Sequence, residues 1–120
     1  ATLLEGYHDF FCFSVSRGKD SQGRSQDPDD TRRTLSSVIL TRHSLAEHAD
    51  TSVIDLEFTG NGFLYKMVRM LTGAIVRAGQ GRTDLHDIET MLADPTGEKW
   101  HFSAPADGLT LIRVTYPLDF

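Results

Sequence analysis

The hydrophobic repeat of this chain changes from two residues to 3.6 across one glycine break, so neither an all-helical nor an all-strand fold satisfies it. Before the break, Ile54, Leu56 and Phe58 alternate with Asp55, Glu57 and Thr59, the mark of a strand with one buried and one wet face. Gly60-Asn61-Gly62 interrupts the pattern. After it, Leu64, Val68, Leu71 and Ile75 recur at helical spacing. At about 100° per residue they share one side of a helix. The spacing predicts a helix over 63–78, with Lys66, Arg69, Gly73 and Arg77 on the opposite side.

The remaining segments fit around that pair. Residues 34–41 are rich in β-branched side chains and read as a strand. Residues 46–51 are turn-like, so this strand and the one carrying Ile54 pair antiparallel. Residues 3–13 read as a short helix burying Phe10 and Phe13, although Gly6 weakens it. Residues 16–31 are polar, with two glycines, Pro28 and acids at Asp27, Asp29 and Asp30. They read as a mobile loop, a solvated connector. Gly79-Gln80-Gly81 ends the long helix. A shorter helix over 85–93 follows, with Asp84 as its N-cap, Leu85, Ile88 and Leu92 inward, and Pro95 closing it. A last strand over 109–116 puts Ile112, Val114 and Tyr116 on one face. The order αββααβ implies an α+β fold, a small and mostly antiparallel sheet with helices packed on one face.

At 120 residues and 39% apolar content, the chain has the makings of one domain with its own core, spanning 1–120. Apolar runs are only a few residues long, so no membrane partner is expected, and no basic-then-apolar leader opens the chain. The start at Ala1 reads as that of a fragment excised from something longer. A lone cysteine, Cys12, excludes an internal disulfide framework and a Cys-rich zinc site, and it fits a reducing compartment.

A net charge of −5 argues against a non-specific nucleic-acid binder. The distribution says otherwise. Residues 61–82 hold Lys66, Arg69, Arg77 and Arg82 and no acid, while the rest carries 8 basic against 17 acidic residues. Cations on one helix face describe either a solvated surface or a polyanion contact. For three cations alone the solvated surface is the better reading; the missing acids keep the contact open, because ordinary surface helices mix both signs. Gly73 among them would let a backbone or a base approach closely.

Other candidates are weaker. Gly81-Arg82-Thr83-Asp84 mimics the surroundings of a catalytic aspartate in one class of RNA-modifying enzyme, but it falls where a helix must start, and capping accounts for Asp84. The five histidines lack metal-ligand spacing, so no metal is predicted. Cys12, flanked by Phe11 and Phe13, reads as a small buried hydrophobe. Glu5 and Asp9 form a carboxylate pair if residues 3–13 are helical. No Gly-rich phosphate loop or nucleophile elbow is present.

Three segments together resemble one family. They are His8-Asp9-Phe10 with Phe13-Ser14, then Gly62-Phe63-Leu64-Tyr65-Lys66-Met67-Val68-Arg69-Met70-Leu71-Thr72-Gly73, then Ala104-Pro105-Ala106-Asp107-Gly108-Leu109-Thr110-Leu111 with Val114-Thr115-Tyr116-Pro117. In this order they are similar to the C-terminal half of the tRNA pseudouridine synthase A family. The resemblance covers most of the chain outside residues 16–31. It implies isomerisation of uridine to pseudouridine in the anticodon arm of tRNA, without metal or organic cofactor. In that chemistry an aspartate attacks the nucleotide, the glycosidic C–N bond breaks, and the uracil rejoins through carbon.

The family's aspartate lies in its N-terminal half, so the resemblance implies that the nucleophile is not in these residues and that this domain alone is inert. Arg69 matches the motif arginine that enters the cleft and pairs with the aspartate. Leu109 matches an apolar residue near the target base. Lys66, Arg77 and Arg82 would meet tRNA phosphate, although Lys66 stands where a histidine is expected and Met70 where a polar residue is usual. Lys99 is a substitute for an arginine before the Ala-Pro-Ala block. The resemblance also implies a cytoplasmic homodimer whose partners are tRNA and the N-terminal half of the same enzyme. The competing readings are a non-catalytic α+β RNA-binding or dimerisation module, and an unrelated structural domain with a basic helix.

Overall fold

A computed structural model describes residues 1–45 and 48–115. Its centre is a long antiparallel hairpin. Strand β2, Arg32–Leu45, pairs with β3, His48–Gly60, and a short β1, Gly6–Asp9, pairs with the near end of β2. The sheet order is β1-β2-β3. Val38 opposite Phe58 and Leu40 opposite Leu56 lie on one face, while Ile39 opposite Glu57 and Thr41 opposite Asp55 lie on the other. The register thus confirms the alternation around Leu56, because paired residues of an antiparallel ladder share a face. The burial it predicts holds only near the core. Val38 is buried and Phe58 packs against the core, whereas Ile54 stays 58% exposed. Both strands are longer than the β-branched run indicates. Residues 48–51 of the expected turn belong to β3, and Ala46 and Glu47 lie outside the described residues.

Two helices follow: α1, Met67–Gly79, and α2, Leu85–Ala93. With short 3-10 turns at Thr2–Leu4 and Phe11–Phe13 they enclose a core of Leu4, Phe10, Phe13, Leu35, Met67, Leu71, Ile88 and Trp100, among others. The result is the expected α+β arrangement. α2 matches its expected limits, with Ile88 and Leu92 inward but Leu85 exposed at its first turn, and Asp84 caps it by accepting from the His86 backbone N–H at 3.0 Å.

Five further expectations are corrected. Residues 3–13 form no helix; Gly6 takes φ +105°, open to glycine and costly for other residues, and the chain turns there into β1. Glu5 and Asp9 are therefore not paired. Glu5 accepts from the Val38 N–H, and Asp9 accepts from the Phe11 N–H and the Thr31 hydroxyl. Phe10 and Phe13 are fully buried as expected, because the turn at Phe11–Phe13 delivers the same two rings.

The long helix starts at Met67, since Lys66 adopts a left-handed conformation, φ 60°, that no α-helix can pass through. Its most buried face is also rotated from the expected stripe. Met67, Met70, Leu71 and Ala74 are buried, while Val68 and Ile75 are only partly so. The apolar stripe was broader than four positions, and packing selected among them.

Residues 109–115 make no ladder with the sheet among the described residues, and Tyr116 lies outside them. Their alternation sorts side chains to two sides but names no partner strand. The segment lines a cleft beside β3 instead.

Candidate functional site

The face of α1 that carries Arg69, Gly73 and Arg77 is neither a bare solvated surface nor an open groove. Residues 100–104 lie across it as a strap. Trp100 anchors the near end: its backbone N–H donates to the Cys12 carbonyl at 2.9 Å, and its indole packs 6.0 Å from the Phe13 ring. The strap then passes over Gly73. A Cβ on Gly73 would come within 2.4 Å of the Phe102 carbonyl oxygen. The close approach expected at this glycine is therefore made by the chain's own backbone.

The far end is tied to Arg69. Arg69 Nε donates to the Ala104 carbonyl at 2.8 Å, and the Ala104 N–H donates to the Arg69 carbonyl at 2.9 Å. No carboxylate pairs with Arg69 among the described residues, where the ion pairs are Arg32–Asp30 and His43–Asp55. Its remaining guanidinium N–H groups have no protein acceptor among those residues. Arg69 does not line the cleft at residues 109–115. It is joined to that cleft through Ala104, Pro105 and the 3-10 turn Ala106–Gly108.

Leu109 closes this turn, donating its N–H to the Ala106 carbonyl at 2.9 Å. It is 52% exposed and borders a cleft of about 520 Å³ with Phe58, Phe63, Val68 and Ile112. Leu56 and Val114 add further apolar lining, and Gly60, Asn61 and Gly62 border the same cleft. Chemically, such a surface offers flat contact to a ring and no ionisable group of its own except Glu57 and Arg113.

The other cations divide. Arg77 lies 3.6 Å from the centroid of the Phe102 ring, with its Nε buried and unpaired. Such stacking contributes about 1 kcal/mol. Lys66 lies 5.4 Å above the Tyr65 ring, and Arg17, from the 16–31 loop, lies 4.9 Å from the same ring. Arg17 was not singled out by sequence. Its signal lies only in the fold, where Asp27 ties the loop to itself, accepting from the Ser16 hydroxyl at 2.6 Å and the Arg17 N–H at 2.7 Å. The Ser16 hydrogen bond, then that of Arg17, holds the Asp27 carboxyl below its ordinary range. Arg82 borders a second cleft, about 400 Å³, with Asp87, Asp94 and Glu98 around it. That acidic setting separates it from the other cations. Lys99 is spent over the Phe11 ring at 4.2 Å, and Met70 is core.

Among the described residues no cluster of His, Cys, Asp and Glu is placed to hold a metal ion, and no helix is long and apolar enough to cross a membrane. Cys12 is fully buried, and that burial raises its thiol pKa against the opposing pull of Lys99.

A family model described as tRNA pseudouridine synthase matches residues 1–117. The chain is 39% identical over 116 residues to the tRNA pseudouridine synthase A of Akkermansia muciniphila, covering 96% of this chain and 40% of that relative. It is 34% identical to the protein of the same name from Leuconostoc citreum, covering 94% and 38%. Against the Listeria innocua protein of that name it is 41% identical, covering 94% and 40%. The chain thus spans about two fifths of the length of these curated relatives. With the motifs around Arg69 and Leu109 and a match over nearly every residue, the chain belongs to the tRNA pseudouridine synthase family.

Proposed function

We propose that these residues form the C-terminal part of a longer enzyme that converts uridine to pseudouridine in the anticodon arm of tRNA. Arg69 carries the reading: an arginine held by one nitrogen, with no acid beside it among the described residues. A guanidinium so placed suits a carboxylate supplied by another segment. It keeps that carboxylate ionised and oriented, the state a nucleophile needs.

Leu109 and the apolar cleft beside it supply contact for a uracil that has left its stack, replacing lost base stacking. The aspartate attacks the nucleotide, the C–N bond breaks, and the uracil turns and bonds through C5 while Leu109 bounds its space; the bond to the aspartate is then released, C5 loses its proton and N1 takes one up. Lys66, Arg77 and Arg82 contact tRNA phosphate. Lys66 is the best placed of the three, at the start of α1 beside Tyr65 and Arg17. The enzyme works as a cytoplasmic homodimer. Leu40 and Ile54, half exposed beyond the core, offer apolar surface to a partner.

The test is isomerisation by the full-length parent on tRNA labelled at uridine C5, read as release of the C5 hydrogen. The parent is expected to turn over and its Arg69→Ala variant to lose most of the rate while still binding tRNA. Binding without isomerisation by the unaltered parent would favour the RNA-binding module.

A further inference from the structure

The strap over α1 is held down at four points, the last of them on Arg69 itself. The Trp100 indole N–H turns back to the Phe102 carbonyl at 2.5 Å, and its ring meets the Phe102 ring edge-on at 5.4 Å. Gly73 lets the Phe102 carbonyl settle against the helix. Arg77 lies over the Phe102 ring, its Nε left without an acceptor. Arg69 and Ala104 then exchange their two hydrogen bonds. A buried nitrogen without a partner is unfavourable, so the position of Arg77 is set by the ring and not by hydrogen bonding.

We infer that Gly73, Phe102 and Arg77 are positioning residues for Arg69, fixing the height of the strap above α1 and so the acceptor that aims the Arg69 guanidinium. This rests on the reading of Arg69 as the partner of a carboxylate supplied by another segment. Arg69 is long and flexible, and among the described residues its side chain has one hydrogen-bond acceptor, the Ala104 carbonyl. That carbonyl stands two residues beyond Phe102. Raising the strap therefore re-aims the guanidinium and, through the 3-10 turn Ala106–Gly108, shifts Leu109 as well. A methyl at Gly73 would need the Phe102 carbonyl to retreat by about 1 Å to reach ordinary contact. A misplacement of that size costs on the order of 10²-fold in rate.

The experiment uses the full-length parent and separates the rate at saturating tRNA from tRNA affinity. Gly73→Ala is expected to lower the saturated rate on the order of 10²-fold, with affinity within about threefold of the unaltered enzyme. The Ala104 amide, followed by hydrogen exchange, should lose protection in the same variant. Phe102→Leu should lower the rate in the same way, and Phe102→Tyr, which keeps the ring, should restore it. Arg77→Lys keeps the charge but not the planar stack, so its rate should fall while the salt dependence of tRNA binding holds.

Wild-type turnover in both Gly73→Ala and Phe102→Leu overturns the inference, as does a loss confined to affinity. If Gly73→Ala does not fold, the Phe102 pair decides. A failure of the underlying reading looks different, since the unaltered parent would then form no pseudouridine, or Arg69→Ala would match it.

Discussion

Arg69 and Ala104 hold each other in both directions, side chain to carbonyl at 2.8 Å and amide to carbonyl at 2.9 Å. Two motifs that lie 35 residues apart are thereby fastened at one point. The consequence is that Arg69 has both a charge to offer and a fixed direction in which to offer it. Separating these contributions requires a variant that keeps one and loses the other.

Arg69→Lys is such a variant. Lysine keeps the charge but has no nitrogen at the Nε position to donate to Ala104 while a second group faces a carboxylate. In the full-length parent, pseudouridine formation should fall on the order of 10²-fold for Arg69→Lys and further for Arg69→Ala. Single-turnover kinetics at saturating tRNA check this. Equal rates for lysine and arginine would mean the fork geometry has no part in the chemistry.

Phosphate contacts have a different signature. Lys66→Ala combined with Arg77→Ala should weaken tRNA binding and flatten its log–log salt dependence by roughly one to two units, since each phosphate contact releases about one counterion. Filter binding across a salt series measures the slope. An unchanged slope would place both side chains outside the RNA contact.

Asp84 is expected to matter to the helix and not to the chemistry. It accepts the His86 N–H at the start of α2. Asp84→Ala should cost about 1 kcal/mol of stability, read by denaturant unfolding, with Asp84→Asn recovering most of it. Turnover should persist at temperatures where the variant is folded. Abolished turnover in a folded Asp84→Ala protein would restore Asp84 as a candidate nucleophile.

Cys12 predicts a pH effect with a definite sign. Burial raises its thiol pKa in the folded protein, so above the unfolded value of about 8.5 the native state holds a proton that the unfolded chain releases. This stabilisation is present below that pH and declines as pH rises toward the folded value. Unfolding free energies measured from neutral to alkaline pH should slope downward, and Cys12→Ala should flatten that slope while lowering the baseline. The same slope in Cys12→Ala would assign the effect to another group.

Local chemistry was legible without a fold. The Asp84 cap, the extent of α2, the paired strands around Leu56 and the burial of Phe10 and Phe13 each depend on side chains near in sequence, whose preferences the order of residues states directly. The acid-free run from 61 to 82 was equally plain, and it pointed at Arg69.

What the residue order left open is the set of contacts between distant segments. Apolar residues on α1 outnumber the positions that one buried stripe can hold, so periodicity alone did not choose Met67 and Met70 over Val68 and Ile75. Nor did it tell that residues 100–104 would close over the cationic face. Only tertiary packing brings Phe102 down onto Gly73, stacks Arg77 on its ring and gives Arg69 the Ala104 carbonyl to lean on. The sequence by itself determined which charges and caps are present. Their directions were decided by a strap whose place follows from shape fit across the chain, a property no local pattern encodes.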